Sequence, residues 1–309
     1  MAEITRRRFL ELGVRLAALM GLGSSTVPGL AEALDELATG RAPVLWLQGL
    51  SCSGCSVSML DSEDPGPAEI LTGYISLLFH STLSTATGEV AMEIINRTIA
   101  KGGYYLAIEG SVPAGMPKAC MIGEESFGNQ LSRSARQARA VVSVGTCAAF
   151  GGIPAAENNL TGAIGVREFL AREGVTTPVI NLPGCPAHPD WIVGTLAYIL
   201  KIGIPPLDDV CRPTMFYGRL VHEQCQRFAD YERENFARTF GDNGCLFKLG
   251  CQGPITHADC TLRLWNSRTN HCIKAGAPCI GCASPKFAAS SSFPFYTYRP
   301  STKGKGDHS

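Results

Sequence analysis

Short apolar runs alternate with amphipathic stretches from residue 43 to about residue 203. The runs "VLWLQG" (44–49), "YYLAIEG" (104–110), "AVVSVG" (140–145) and "PVINLPG" (178–184) each end on glycine. Their length and their content of valine, isoleucine and aromatic residues predict strands. "GEVAMEIINRTIA" (88–100) predicts a helix with Val90, Ile94, Ile95 and Ile99 on its apolar stripe. "SRSARQAR" (132–139) predicts a short polar helix, and "VREFLAREG" (166–174) predicts one ending at Gly174. "HPDWIVGTLAYILKIG" (188–203) predicts a helix with Pro189 near its start and Ile192, Leu196 and Leu200 on one face. Apolar strands separated by amphipathic helices require a parallel sheet covered on both sides. After "PPLDD" (205–209) the pattern stops, and residues 207–309 offer many turn residues and one helix candidate, "RLVHEQCQRFADY" (219–231). A hundred residues with so little periodicity make a poor hydrophobic folder, and metal is the candidate for holding that region together. No internal repeat is present.

Composition narrows the class. A chain of 309 residues with 45% hydrophobic and 17% charged residues is globular. Basic and acidic residues balance at 27 each, and no polybasic patch points to nucleic acid or a membrane surface. The anomaly is thirteen cysteines, eight of them beyond residue 206. That is too many for an ordinary cytosolic enzyme, the chain is too long for a disulfide miniprotein, and an odd number forbids complete pairing within one chain. Residues 1–33 read as an export leader: Arg6, Arg7 and Arg8 precede a modest apolar stretch, and Ala31-Glu32-Ala33 resembles a cleavage site. Paired arginines suit the twin-arginine route, which carries folded cargo, so a metal cofactor would be seated before export. The apolar part of the leader is too short to span a bilayer.

The first cysteines follow predicted strands: Cys52 and Cys55 after "VLWLQG", Cys147 after "AVVSVG", Cys185 after "PVIN". In a parallel sheet these positions share the carboxyl edge, where open α/β sheets bind cofactors. Gly49, Gly54, Gly145, Gly151, Gly152 and Gly184 flank them and permit close backbone approach. Four thiolates suit zinc or a [4Fe–4S] cubane, and ligands dispersed over this span favour the cubane; a thioredoxin-like Cys52–Cys55 pair would leave Cys147 and Cys185 without a purpose. A second set is His222, Cys225, Cys245 and Cys251, in "HEQC" and "GCLFKLGC". A third is Cys260, Cys279 and Cys282, with Cys272 between them. Three ligands would hold a [3Fe–4S] cluster and four a [4Fe–4S] cluster; without a ligand's role Cys272 would be a small buried hydrophobe. Cys120 and Cys211 are left as structural thiols.

The motifs "CSGCS", "IEGSVP", "GTCAAFGGIPAA", "NLPGCPAHPDW", "HEQC", "GCLFKLGC", "GPITHADCTLRLWN" and "PCIGC" together resemble the small subunit of the periplasmic [NiFe] hydrogenases, from about Pro43 to Tyr296. The resemblance implies a flavodoxin-like parallel-sheet domain (43–203) with a proximal [4Fe–4S] cluster on Cys52, Cys55, Cys147 and Cys185. It implies a smaller, irregular iron–sulfur domain (207–309) with a distal [4Fe–4S] cluster on His222, Cys225, Cys245 and Cys251, and a medial cluster on Cys260, Cys279 and Cys282. Most such relatives have proline where Cys272 stands and a medial [3Fe–4S] cluster. With cysteine there, as in the [NiFeSe] branch, a medial [4Fe–4S] cluster with Cys272 as fourth ligand is expected. Gly54 and Gly152 stand where oxygen-tolerant relatives carry extra cysteines, which implies the oxygen-sensitive type.

The implied reaction, H₂ ⇌ 2H⁺ + 2e⁻, would occur at a nickel–iron site on a separate large subunit, since no paired C-x₂-C motifs for nickel remain here. This chain would relay electrons to an external carrier such as a multihaem cytochrome c, in the periplasm and without a transmembrane anchor. Glu109 and His257 read as ordinary hydrogen-bonding residues. The competing readings are a cluster-bearing subunit of a respiratory NADH–quinone complex, a self-sufficient multi-cluster ferredoxin, and a disulfide-stabilised exported binding protein.

Overall fold

The computed structural model describes residues 43–63, 66–70 and 76–288, so the expected leader and the C-terminal tail lie outside the described residues. Five parallel strands form the main sheet: β1 (Pro43–Gln48), β2 (Ser76–His80), β3 (Tyr105–Glu109), β4 (Ala140–Val144) and β5 (Val179–Leu182). They lie in the order β2-β1-β3-β4-β5. This is the flavodoxin order, in which the chain leaves β1 for one side and then winds to the other, opening a crevice at the carboxyl ends. The α/β class and four of the strands are as the periodicity predicts. The fifth, β2, is an edge strand with only Phe79 and His80 buried, so its sequence "SLLFH" lacks the continuous apolar run of a central strand.

Helices cover both faces: α1 (Gly54–Leu60), α2 (Gly88–Lys101), α3 (Phe127–Ala135), α4 (Gly145–Phe150), α5 (Val166–Arg172) and α6 (Pro189–Lys201). In α2 the buried stripe is Ala91, Ile95, Thr98 and Ile99, while Val90 is 59% exposed and not part of it. The polar helix expected from residue 132 is the tail of α3, which already starts at Phe127. Ser126 caps that start by accepting the Asn129 N–H at 3.3 Å, and Phe127 and Leu131 anchor the helix in the core. In α6 Pro189 occupies the first turn, the His188 ring accepts the Asp190 N–H at 3.1 Å, and Ile192 and Leu196 are buried as predicted; the Leu200 side chain lies outside the described part.

Strand residues alternate between two cores. Leu45, Leu47, Leu106, Ile108 and Val141 pack against α2, α3 and α5. Val44, Trp46, Ala107, Val142, Val144, Ile180 and Leu182 face α6 and, beyond it, Phe216, Tyr217, Val221, Leu246 and Ile273. The C-terminal residues therefore share the core of the sheet, so apolar packing, which their sparse periodicity did not announce, also holds them. Polar ties reinforce the junction: Trp191 Nε1 donates to Asp259 Oδ1 at 2.8 Å, and Arg263 pairs with Asp259 at 2.5 Å and Asp190 at 3.2 Å. Among the described residues beyond α6, the longest helix is Phe228–Glu232. The continuous helix expected over 219–231 is absent. A 3₁₀ turn at His222–Gln224 gives way to extended backbone at Cys225 (φ −76°, ψ 133°), and the Arg227 N–H turns to the Cys225 sulfur at 3.4 Å. No helix of the described residues is long and apolar enough to cross a membrane.

Candidate metal centres

All thirteen cysteines lie within the described residues and none is joined in a disulfide. Eleven of them, with His222, fall into three neighbourhoods, and only Cys120 and Cys211 stand apart. Cys120 packs beside the core that lies under α2, α3 and α5, and the Cys211 carbonyl accepts the Asn181 N–H at 2.8 Å.

The first neighbourhood sits at the carboxyl ends of β1, β4 and β5. Cys55 has Cys147 and Cys185 as charge neighbours, and Cys52 neighbours both of those. Burial raises the Cys55 thiol well above its ordinary value and, with Cys147, Cys282 and Cys52 adding to it, pushes Cys185 up to about 12. Such thiols ionise only beside compensating cations, as metal ligation provides. Backbone amides already point at the sulfurs: Ala187 N–H donates to Cys55 at 3.5 Å and Ile153 N–H to Cys147. Two glycines make the approach possible. A Cβ at Gly145 (φ +87°) would overlap the Cys55 sulfur, and one at Gly152 (φ +55°) would lie 2.7 Å from the Cys147 sulfur. Beneath α1, Glu109 is 2% exposed and accepts the Cys55 N–H at 3.0 Å, the Gln48 amide at 3.1 Å and the Ser56 hydroxyl. Glu109 is thus an ordinary hydrogen-bonding residue, as the sequence suggests, although its partners are the loop that carries two of the cysteines. His257 likewise bonds the Tyr217 carbonyl, at 3.1 Å.

The second neighbourhood is His222, Cys225, Cys245 and Cys251, which line one small cavity. The Phe247 N–H donates to Cys245 just as Arg227 does to Cys225, a cysteine-to-second-residue turn at both positions. The His222 ring lies against Tyr231 (centroids 4.6 Å apart) and Phe228 (5.1 Å). Phe228 and Phe247 are 38% and 39% exposed, so this site reaches the surface through aromatic rings.

The third neighbourhood is Cys260, Cys272, Cys279 and Cys282, on the wall of a cavity of about 700 Å³ that Cys185 also lines. Cys272 is exposed to that cavity, so it is not a small buried hydrophobe. Burial raises Cys260 and Cys279 far above the ordinary thiol range and Cys282 up to about 11. Gly281 N–H donates to Cys279 at 3.4 Å, repeating the same turn. This group lies between the other two. The Cys185 backbone bonds to the Cys282 sulfur, and Cys279 has Cys251 of the second group as a charge neighbour. Sequence reasoning passed over His271, which is 6% exposed and shares this cavity; its position beside Cys272 was the available signal.

The donors fit polynuclear iron–sulfur groups better than single ions. Among the described residues, no three His, Cys, Asp or Glu side chains stand close enough to grip one metal ion. Zinc bonds thiolates at about 2.3 Å and needs that closeness, whereas a cluster spreads its ligands over several irons. An open α/β sheet of this order, with buried thiols strung from its carboxyl edge to an aromatic surface, defines an electron-transferring redox protein.

Comparison with known proteins is specific. Residues 217–296 match the C-terminal family model of the NiFe/NiFeSe hydrogenase small subunit, and residues 52–199 match "NADH ubiquinone oxidoreductase, 20 Kd subunit". The chain is 42% identical to the periplasmic [NiFeSe] hydrogenase small subunit of Desulfomicrobium baculatum, over 95% of this chain and 99% of that one. It is 37% identical to the periplasmic [NiFe] hydrogenase small subunit of Solidesulfovibrio fructosivorans, over 92% and 90% of the two chains. The recombinant [NiFeSe] hydrogenase of Desulfovibrio vulgaris Hildenborough superposes with a TM-score of 0.79 at 44% identity, covering 84% of this chain and 99% of that one. The chain belongs to the small-subunit family of the NiFe/NiFeSe hydrogenases. It is the electron-transferring partner in a heterodimer whose active site is on the large subunit. The match at 52–199 explains why a respiratory complex is a rival reading on the sheet alone; the C-terminal match decides against it. Membership of this family likewise decides against a disulfide-stabilised binding protein.

Proposed function

We propose that the chain holds three iron–sulfur clusters in a line: a proximal [4Fe–4S] on Cys52, Cys55, Cys147 and Cys185, a medial [4Fe–4S] on Cys260, Cys272, Cys279 and Cys282, and a distal [4Fe–4S] on His222, Cys225, Cys245 and Cys251. The observation that carries this reading is the shared neighbours. The Cys185 backbone hydrogen-bonds to Cys282 of the third group, and Cys279 of that group has Cys251 of the second as a charge neighbour, which supports one sequence of donor sets from sheet edge to surface. When bound, the clusters supply one-electron carriers. The chain's own residues set their environment: amides donate to cysteine sulfurs at all three sites, and imidazole in place of one thiolate makes the distal set less negative.

In this reading the proximal edge, where Cys52 and Val57 are exposed, lies under the large subunit, and the aromatic distal end meets a periplasmic carrier of the multihaem cytochrome c type. The leader at 1–33 sends the assembled pair through the twin-arginine route, and the relatives named periplasmic favour that compartment.

The test is chemical analysis and EPR of the heterodimer purified anaerobically. Iron and acid-labile sulfide for three cubanes are expected, with little [3Fe–4S] signal on oxidation. Cystines without labile sulfide would overturn the reading. A strong [3Fe–4S] signal in intact, active enzyme would overturn the role of Cys272 alone. A reporter fused behind residues 1–42 and exported independently of the arginines would overturn the route.

A further inference from the structure

The cavity shared by Cys260, Cys272, Cys279 and Cys282 contains one buried polar side chain that none of the roles above uses. The imidazole of His271 is 6% exposed, lines the cavity, and has no hydrogen-bond partner at either Nδ1 or Nε2 among the described residues. Its backbone is fully engaged: its N–H donates to Asn270 Oδ1 at 2.9 Å and its carbonyl accepts the Ala275 N–H at 2.9 Å. The backbone that carries the ring is therefore held by the turn that also presents Cys272. Burying an imidazole with both nitrogens unsatisfied is costly, and natural proteins almost always give such groups a partner. The other buried histidines here obey that rule. His80 bonds Ser56 and the Thr82 amide, and His188 bonds the Leu264 carbonyl and the Asp190 amide.

A neutral imidazole always carries one N–H, whichever tautomer it adopts. Four cysteines on the same wall already equal the ligand demand of a cubane, so the ring is not required as a ligand. The wall also carries oxygen acceptors on Ser58, Asp61, Thr256, Asn266 and Asn270, but none of them bonds the ring, so the sulfurs of a group held by the four cysteines are the acceptors that remain for it.

We propose that His271 is a positioning and tuning residue of the medial site, donating a ring N–H to a cluster sulfur and thereby raising the potential of that site relative to a chain with an apolar residue at position 271. This rests on the reading that Cys260, Cys272, Cys279 and Cys282 share one cluster. A hydrogen bond to sulfur draws electron density from the iron–sulfur core and favours the reduced state. The effect is local to the middle of the relay, where it sets whether an electron pauses or passes.

The experiment is an EPR-monitored redox titration of the purified, fully loaded heterodimer, comparing the wild type with His271→Leu and His271→Asn. The medial midpoint potential is expected to fall in His271→Leu, to recover most of the way in His271→Asn, which keeps a donor, and the proximal and distal midpoints are expected to stay where they are. An unchanged medial midpoint in His271→Leu overturns the proposal while leaving the cluster assignment intact. Loss of medial iron in His271→Leu overturns it too, by making the ring a ligand or a packing element. A wild type with no medial cluster overturns the assignment of the four cysteines and this proposal with it. A measurement that needs no variant is pulsed EPR of wild-type heterodimer labelled with ¹⁵N-histidine, poised so that the medial cluster alone is paramagnetic. Weak nitrogen coupling is expected; none, or the strong coupling of a nitrogen bonded to iron, overturns the donor role.

Discussion

Glu109 Oε1 accepts the backbone N–H of Cys55 at 3.0 Å, across 54 residues of chain. The bond fastens the first turn of α1 to the end of β3, and it is one link in a buried chain whose direction is fixed. His80 Nδ1 accepts the amides of Thr82 (3.0 Å) and Leu83 (3.3 Å), so its proton resides on Nε2 and is donated to Ser56 Oγ at 3.0 Å. Ser56 must then donate onward to Glu109.

That polarity makes Glu109→Gln a discriminating substitution. In either orientation the new NH₂ group would face donors, the Ser56 hydroxyl and Gln48 amide on one side or the Cys55 N–H on the other. Ser56 cannot reverse because the His80 tautomer is held by backbone. A loss of about 1–3 kcal/mol is expected from the unpaired buried donors. Thermal unfolding of the purified heterodimer checks it; an unshifted melting temperature would mean the chain of bonds carries no stability.

Gly145→Ala is expected to act on metal content more than on folding. The added methyl would overlap the Cys55 sulfur, and the backbone at φ +87° disfavours any side chain. Iron per heterodimer should fall by roughly the share of one cluster in three, read by colorimetric assay, while Gly174→Ala, which carries backbone strain at φ +63° but meets nothing within 4 Å, should retain full iron.

Replacing His222 by cysteine keeps four donors in the second group and adds a negative charge. The distal midpoint potential should move downward, because thiolate in place of imidazole lowers the potential. Redox titration followed by EPR reads the change, and an upward shift would contradict the donor set.

Cys272→Ala should convert the medial site to a three-cysteine site. A [3Fe–4S] signal is expected to appear in the oxidised variant where the wild type shows little. An identical spectrum in both proteins would remove Cys272 from the ligand set.

Stability should decline as the pH falls below about 6.5, the ordinary histidine value. Burial is the main cause lowering both His80 and His188. A histidine with a depressed folded pKa binds fewer protons folded than unfolded, so stability is present above the unfolded pKa and is lost on acidification, by up to about 1.4 kcal/mol per pH unit for each ring. Urea unfolding between pH 8 and pH 5 measures the slope, and His80→Gln should make it shallower.

Much of this architecture is legible in the order of residues. Four strands announce themselves because both faces of each are largely buried, even in β5 at the far edge, leaving mostly apolar runs from Val44, Tyr105, Val141 and Val179. The edge strand at 76–80 has no such run, and the α2 stripe is misread at Val90 because the periodicity offers Val90 and Ala91 equally while the sheet covers only the second. The segment 219–231 has helical spacing but is bent by its own chemistry, as amides turn to sulfur at Cys225. Cysteine spacing and the strand ends that carry it indicate three groups; that the third lies between the other two follows from the family resemblance and not from spacing, and the neighbours of Cys282 and Cys279 agree with it. His271 gives no periodic or motif signal, and its interest comes from what it lacks.

The Thr146 hydroxyl, one residue before Cys147, accepts the Gly184 N–H at 2.8 Å and donates to the Cys282 carbonyl. It thus grips the sheet edge and the C-terminal segment at once. With the Cys185 backbone hydrogen-bonded to the Cys282 sulfur beside it, the two halves of the chain are bolted where, on the proposed relay, an electron crosses, so the spacing of that crossing would be a constant of the fold and no swing of one half against the other would serve as its throttle.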